Sequence, residues 1–169
     1  MTKRAPKASR IQMPGYGLPD DNKGLLSWKW ADKRLAKSHN YWITTVRPDG
    51  RPHTMVVWGL WLDKVFYFST GRKARKTENL KSNPNCVVCN ELAQEAAIVE
   101  GTAREVREPA MRQRFFRLYE RKYKFDMSPY KDEPIFAVHP VKVFGLDEKL
   151  TLNRATRWIF LATSPRMAG

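Results

Sequence analysis

Acidic residues are scarce in this chain. Only 17 Asp and Glu stand against 31 Lys and Arg, a formal charge of +14. Such an excess suits an anionic partner, whether nucleic acid, an anionic membrane surface or an anionic small molecule. The basic residues are spread along the chain, and no helix-turn-helix, zinc-finger or RNA-recognition signature occurs, so no specific nucleic-acid partner is expected. No apolar run reaches about 18 residues, so no membrane insertion is expected. The opening MTKRAPKASR is basic but has no apolar centre of the kind a secretory signal carries, and a cytoplasmic location is the expectation. Histidine is rare, with 3 residues at no ligand spacing, and cysteine is rarer, with 2. Paired carboxylates, a Ser/His/Asp arrangement and a metal cluster are all missing, so no catalytic residue and no metal ligand is assigned. The Gly-x-x-x-x-Gly-Lys pattern of a Walker loop is missing too.

The cysteine pair, Cys86-Val87-Val88-Cys89, has metal or redox spacing, but its neighbours spell a strand. Three residues along a strand cover about 10 Å with side chains on opposite faces, whereas a disulfide needs Cα atoms within about 7 Å. Reduced thiols are expected, with at least one buried.

What the chain does have is aromatic content, 12% over 169 residues, enough for one domain with a substantial core. It is organised around Val65–Pro84. Val65–Phe68 is β-branched and aromatic, as in a buried strand. Ser69, Thr70 and Gly71 break it. Arg72, Lys73, Arg75 and Lys76 then lead into a helix that Asn83-Pro84 stops. Cations at a helix start are opposed by the dipole there. A bound phosphate would reverse that, through the free N–H groups and charge-assisted bonds to Arg and Lys; the competing reading is a solvated basic turn.

In chain order, residues 1–22 read as an irregular Pro-, Gly- and Lys-rich arm and residues 23–169 as one domain. Ser27 caps a helix over Trp28–Ser38 in which Trp28, Ala31 and Leu35 share a face and Trp30 lies off it. Tyr41–Val46, Pro52–Leu62 and Val65–Phe68 read as a three-stranded meander with tight turns at Pro48-Asp49-Gly50 and Asp63-Lys64. Cys86–Asn90, Ala96–Val106, Ile135–Leu146 and Thr156–Leu161 complete the strands. Gly101-Thr102-Ala103 marks a bulge or close packing, and Glu108-Pro109 opens a helix whose Phe115, Leu118 and Tyr119 form an apolar stripe. Both faces of the meander are apolar. The outer one therefore needs helices or a second subunit to cover it, and a symmetric homodimer is expected.

The segment Tyr67–Pro84 resembles the phosphate-binding segment of the pyridoxamine 5′-phosphate oxidase-like, flavin-binding split β-barrel superfamily. Arg75-Lys76 match its Arg-Lys pair, Asn79-Leu80 its helix and Asn83-Pro84 its stop; Ala74 stands where Ser is common. The resemblance takes in Arg47–His53 and runs on to Arg104. It implies a mainly β fold with peripheral helices, a six-stranded antiparallel split barrel of Greek-key type that works as a homodimer. It also implies a flavin-dependent oxidoreductase with FMN as cofactor, or the 8-hydroxy-5-deazaflavin coenzyme in its place, acting on an unknown small molecule. A flavin- or haem-binding protein without catalysis is the alternative. The cofactor residues implied are Ser69, Thr70, Arg75 and Lys76 toward the phosphate, and Met55, Val56, Val57 and Trp58 along the isoalloxazine ring, with His53 beside them. Pyridoxamine phosphate oxidation itself is not expected. The oxidase's Arg-x-x-Leu-Leu-Lys is absent from His53–Trp58, as is its C-terminal Arg-Leu-x-Pro.

Overall fold

A computed structural model describes residues 6–150 and 152–160. Nine strands and three helices lie among them: β1 (Lys7–Arg10), α1 (Trp28–Lys37), β2 (Asn40–Val46), β3 (Pro52–Trp58), β4 (Leu60–Leu62), β5 (Val65–Ser69), α2 (Arg75–Ser82), β6 (Asn85–Asn90), β7 (Glu95–Glu105), α3 (Pro109–Tyr123), β8 (Ile135–Asp147) and β9 (Thr156–Ile159). The expected strand end at Leu161 lies outside the described residues.

Every strand pair is antiparallel. The order is β1-β9-β8-β7-β6-β2-β3, with β5 also on β8 and β4 on β5. Strand β8 is the hub. It pairs with β7 along its length, with β5 through Ile135–Val138 and with β9 through Lys142–Gly145. The register of β7 on β8 shifts between Glu100 and Gly101, where a Cβ on Gly101 would stand 2.7 Å from the His139 carbonyl oxygen. The small-residue run read from the sequence is this bulge.

The fold class is as the resemblance implies, mainly antiparallel β with helices outside and a barrel that stays open, but nine strands join the sheet where six were expected. The opening lies between β3 and β5, which approach but do not pair. The meander expected over Tyr41–Phe68 is therefore interrupted: β2 pairs with β3 and β4 with β5, but β3 stops at Trp58. Gly59 is the cause. The Phe66 ring lies against its Cα, and an added Cβ would meet that ring and come within 2.7 Å of the Tyr67 carbonyl oxygen, so only glycine allows the close approach. Strand β1 is a second departure, lying inside the stretch expected to be irregular. Its Arg10 is buried and donates to the carbonyls of Asp21, Lys23 and Asn153, so the arm is tied down by main-chain acceptors rather than by apolar burial.

The core divides in two. Tyr41, Ile43, Phe66, Phe68, Val88, Val99, Val138 and Trp158 fill the barrel, with Ala31 and Leu35 of α1 closing one side. Ser27 Oγ accepts from the Trp30 N–H at 3.3 Å and starts α1. Trp30, off the apolar stripe, donates its indole N–H to Asp147. A smaller cluster joins Phe115, Tyr119 and Tyr123 of α3 to Leu60 and Ile135. Each of these ring burials stabilises the fold by about 1.5–3 kcal/mol, and together they fix α3 beside the strand break at Gly59.

Candidate functional site

The open edge carries the site. Strand β3 ends the sheet, so one side of its backbone has no ladder partner. From His53 to Trp58 it runs about 17 Å, at about 3.3 Å per residue. Its two ends differ in chemistry.

At the start of β3 the cations gather. His53 is paired in register with Thr45, and Arg47 follows two residues beyond it on the same chain. Helix α2 reaches the same place because fully buried Asn79 donates to Thr45 Oγ1 at 2.9 Å, while Thr77 donates to the Gly71 carbonyl at 2.8 Å. Arg75 and Lys76, in the first turn of α2, thereby come within electrostatic reach of His53, as does Arg47. The helix start has no side-chain cap, because Ala74 holds the capping position and offers no acceptor. Burial, then Arg47, Lys76 and Arg75 in that order, hold the His53 imidazole below its ordinary pKa. Burial also lowers Lys76. Two carboxylates are nearby: Asp49 is bound by Arg51 at 2.6 Å and also lies within electrostatic reach of Arg47 and Arg75, and Glu78, in the first turn of α2, pairs with Lys81. Two buried nitrogens here have no hydrogen-bond partner, His53 Nδ1 and Arg47 Nε. Buried polar atoms are nearly always satisfied, and these two nitrogens are exceptions, as is Asn79 Oδ1 beside Thr45.

At the end of β3 the groups are aromatic. Trp58 is 37% exposed, yet held: its ring stacks on Tyr123 with centroids 4.6 Å apart and planes 3° from parallel. Its indole N–H donates to Asn40 Oδ1 at 3.1 Å, and His39 and Phe125 meet the ring edge-on. Glu91 accepts from the His39 and Asn40 main-chain N–H groups and the Asn40 amide. Burial works to raise Glu91, but those bonds leave it below the usual carboxylate range. Lys122 of α3 reaches under the strand break, donating to the Gly59 carbonyl at 2.9 Å and to Tyr41 Oη at 3.1 Å. Burial lowers its amine to about 8 despite an opposing pull from Glu91.

Of the residues singled out from sequence, His53, Arg75 and Lys76 are brought together. Met55, Val56, Val57 and Trp58 lie along the free edge: His53, Met55 and Val57 share the face of Thr45, Ile43 and Tyr41, and Val56 and Trp58 take the other. The Ser69 hydroxyl and the Thr70 N–H both donate to the Pro134 carbonyl. Arg72 is likewise engaged, by Glu133 and the Asp132 carbonyl. Sequence reasoning passed over Arg47, which sits in an ordinary-looking Arg-Pro-Asp-Gly-Arg turn, and Lys122, one of many cations on α3. On β6, Cys86 is buried and Cys89 half-buried, both as free thiols. Burial raises both, Cys86 to about 12.

An open antiparallel barrel with a free strand beside a basic helix start is the architecture of the split β-barrel proteins. The chain belongs to the pyridoxamine 5′-phosphate oxidase family, whose profile matches residues 29–147. No curated protein matches it. Among solved structures it is similar to a conserved hypothetical protein, Rv2991, of Mycobacterium tuberculosis (TM-score 0.66, 20% identity, 74% of this chain and 87% of that one). It is similar to an F420 reductase (TM-score 0.55, 25% identity, 64% and 91%). A third likeness is to an FAD-binding protein of Mesorhizobium loti (TM-score 0.58, 16% identity, 78% and 94%).

Proposed function

We propose that this protein is a flavin-dependent oxidoreductase that holds FMN along β3, its phosphate among Arg47, His53, Arg75 and Lys76 and its ring toward Met55–Trp58. The observation that carries this reading is the pair of buried, unpartnered nitrogens, His53 Nδ1 and Arg47 Nε, beside an uncapped basic helix start. A phosphate supplies an acceptor for Arg47 Nε, and for His53 Nδ1 where that nitrogen carries a proton, and offsets the repulsion among the cations. The free backbone of β3 offers donors and acceptors to the ring's polar edge, and half-exposed Met55 and Val56 offer apolar wall.

When bound, the flavin supplies the hydride or electron transfer. The chain's own residues bind and orient. Arg75 and Lys76 fix the phosphate end, and Asn79 fixes them in turn through Thr45. At the other end the Lys122 amine and the Tyr123 hydroxyl engage the Gly59 carbonyl, setting where β3 stops and Trp58 begins. The Ser69 hydroxyl is held by the Pro134 carbonyl, and the Thr70 hydroxyl stands at the same strand end as a donor toward the phosphate. The 8-hydroxy-5-deazaflavin coenzyme is the second reading, favoured by the likeness to an F420 reductase at 25% identity.

The test is protein purified from its native host, with absorption and mass spectra of whatever heat releases from it. FMN is the expected product. The deazaflavin coenzyme would move the assignment to the second reading, and haem or a colourless preparation that takes up neither cofactor would reject both.

A further inference from the structure

His53 is the imidazole in a cluster whose other members are two arginines and a lysine. Arg47, just past the end of β2, and Arg75 and Lys76, at the start of α2, lie within electrostatic reach of His53, while Asp49, in the turn, is bound to Arg51 and within reach of Arg47 and Arg75. The main chain of His53 is fixed by the β2–β3 ladder, and its carbonyl accepts from Thr45 Oγ1 at 3.4 Å. The main chain is therefore fixed, and the imidazole Nδ1 beside it is buried without a partner, as is Arg47 Nε.

We propose that His53 makes phosphate recognition proton-linked: its imidazole is neutral in the empty pocket and takes up a proton when the phosphate arrives. This rests on the phosphate reading above. In the empty pocket, burial and three neighbouring cations oppose a charge on the ring. A dianion placed among them reverses the local field and favours the charged imidazolium, in which both ring nitrogens donate. Protonation then turns a silent neighbour into a charge-assisted donor. By linkage, the affinity for a phosphorylated flavin falls as pH rises above neutrality, by up to tenfold per pH unit where a whole proton is coupled. Riboflavin, which has no phosphate, does not feel the effect. Binding would then be strongest in mildly acidic conditions, and the pocket would release its ligand more readily in alkaline ones.

Titration calorimetry at pH 7.5 tests this. FMN and riboflavin are each titrated into the apoprotein in two buffers of different ionisation enthalpy. At that pH the free phosphate is mostly dianionic, since its second pKa is about 6, so it contributes little. The expected result is uptake of a substantial fraction of a proton per FMN and none per riboflavin. The uptake disappears in His53→Gln and persists in Lys76→Arg, which removes the other buried base whose pKa is lowered here. FMN binding without proton uptake, or uptake that survives in His53→Gln, overturns the proposal while leaving the phosphate site standing. If FMN does not bind at all, both fall. Should His53→Gln fail to fold, proton NMR of the wild type decides: one of its 3 imidazoles moves to the charged shift on adding FMN, or none does.

Discussion

At the scale of single residues the site has cations in excess of carboxylates at the start of β3. Arg47, Arg75 and Lys76 lie within electrostatic reach of His53 there, and Lys122 lies under the other end, drawn by Glu91. Lys122 allows a test independent of any ligand. Burial lowers its amine from 10.5 to about 8. The folded protein therefore loses this proton near pH 8, whereas the unfolded chain keeps it for about two more pH units. Between those values the unfolded state binds more protons, so stability contributed at this residue rises with pH. Denaturation of wild type and Lys122→Met at pH 7.5 and 9.5 is predicted to show the difference shifting in favour of wild type at the higher pH. Two curves that stay parallel would contradict the assignment of a lowered amine. Neither Arg47 nor Lys122 was legible in the sequence. Arg47 looks like any turn cation, and Lys122 is one of several basic residues on α3. What distinguishes them is burial against groups distant in sequence, which local pattern does not carry.

At the scale of elements, Val65–Pro84 was the most legible part. Strand, turn, helix and stop each depend on near neighbours: Phe66 and Phe68 for burial, Gly71 for the break, Pro84 for the end. Residues Arg75–Ser82 form the helix, as the composition indicates. The break in the second strand was not legible, because it follows from contact between Gly59 and Phe66, a tertiary approach. The four-residue strand β1 was hidden in a Pro- and Gly-rich arm, its anchor being Arg10 on distant carbonyls. Helix α2 matters for function through Asn79, whose amide bonds Thr45 at full burial. Asn79→Ala leaves Thr45 without that donor and is predicted to lower stability by about 1–3 kcal/mol. It should weaken FMN more than riboflavin, although residue 79 is no phosphate ligand. Urea denaturation and paired ligand titrations measure both, and unchanged stability would show that α2 is held by something else.

At the scale of the whole molecule, one sheet face is left uncovered. Trp42 and Val56 are 47% and 45% exposed, and in register with them across the sheet run Cys89, Ile98 and Phe144, each half-buried. A row of this kind across five strands suits an isologous partner. Light scattering is predicted to give about twice the 19.7 kDa chain mass, and Trp42→Glu to give a folded monomer. A wild-type monomer at micromolar concentration would contradict this. The charge of +14 acts at the same scale, favouring the approach of anionic ligands at low salt.

The central claim is that the basic start of α2 holds a flavin's phosphate, and it is tested most directly by titrating FMN and riboflavin, by fluorescence quenching, into wild type and Arg75→Ala. Removing one charge-assisted contact costs about 1.5–3 kcal/mol. FMN affinity should therefore fall about tenfold to hundredfold, while riboflavin affinity scarcely changes. Equal losses for the two ligands, or none for either, would mean that the phosphate is bound elsewhere.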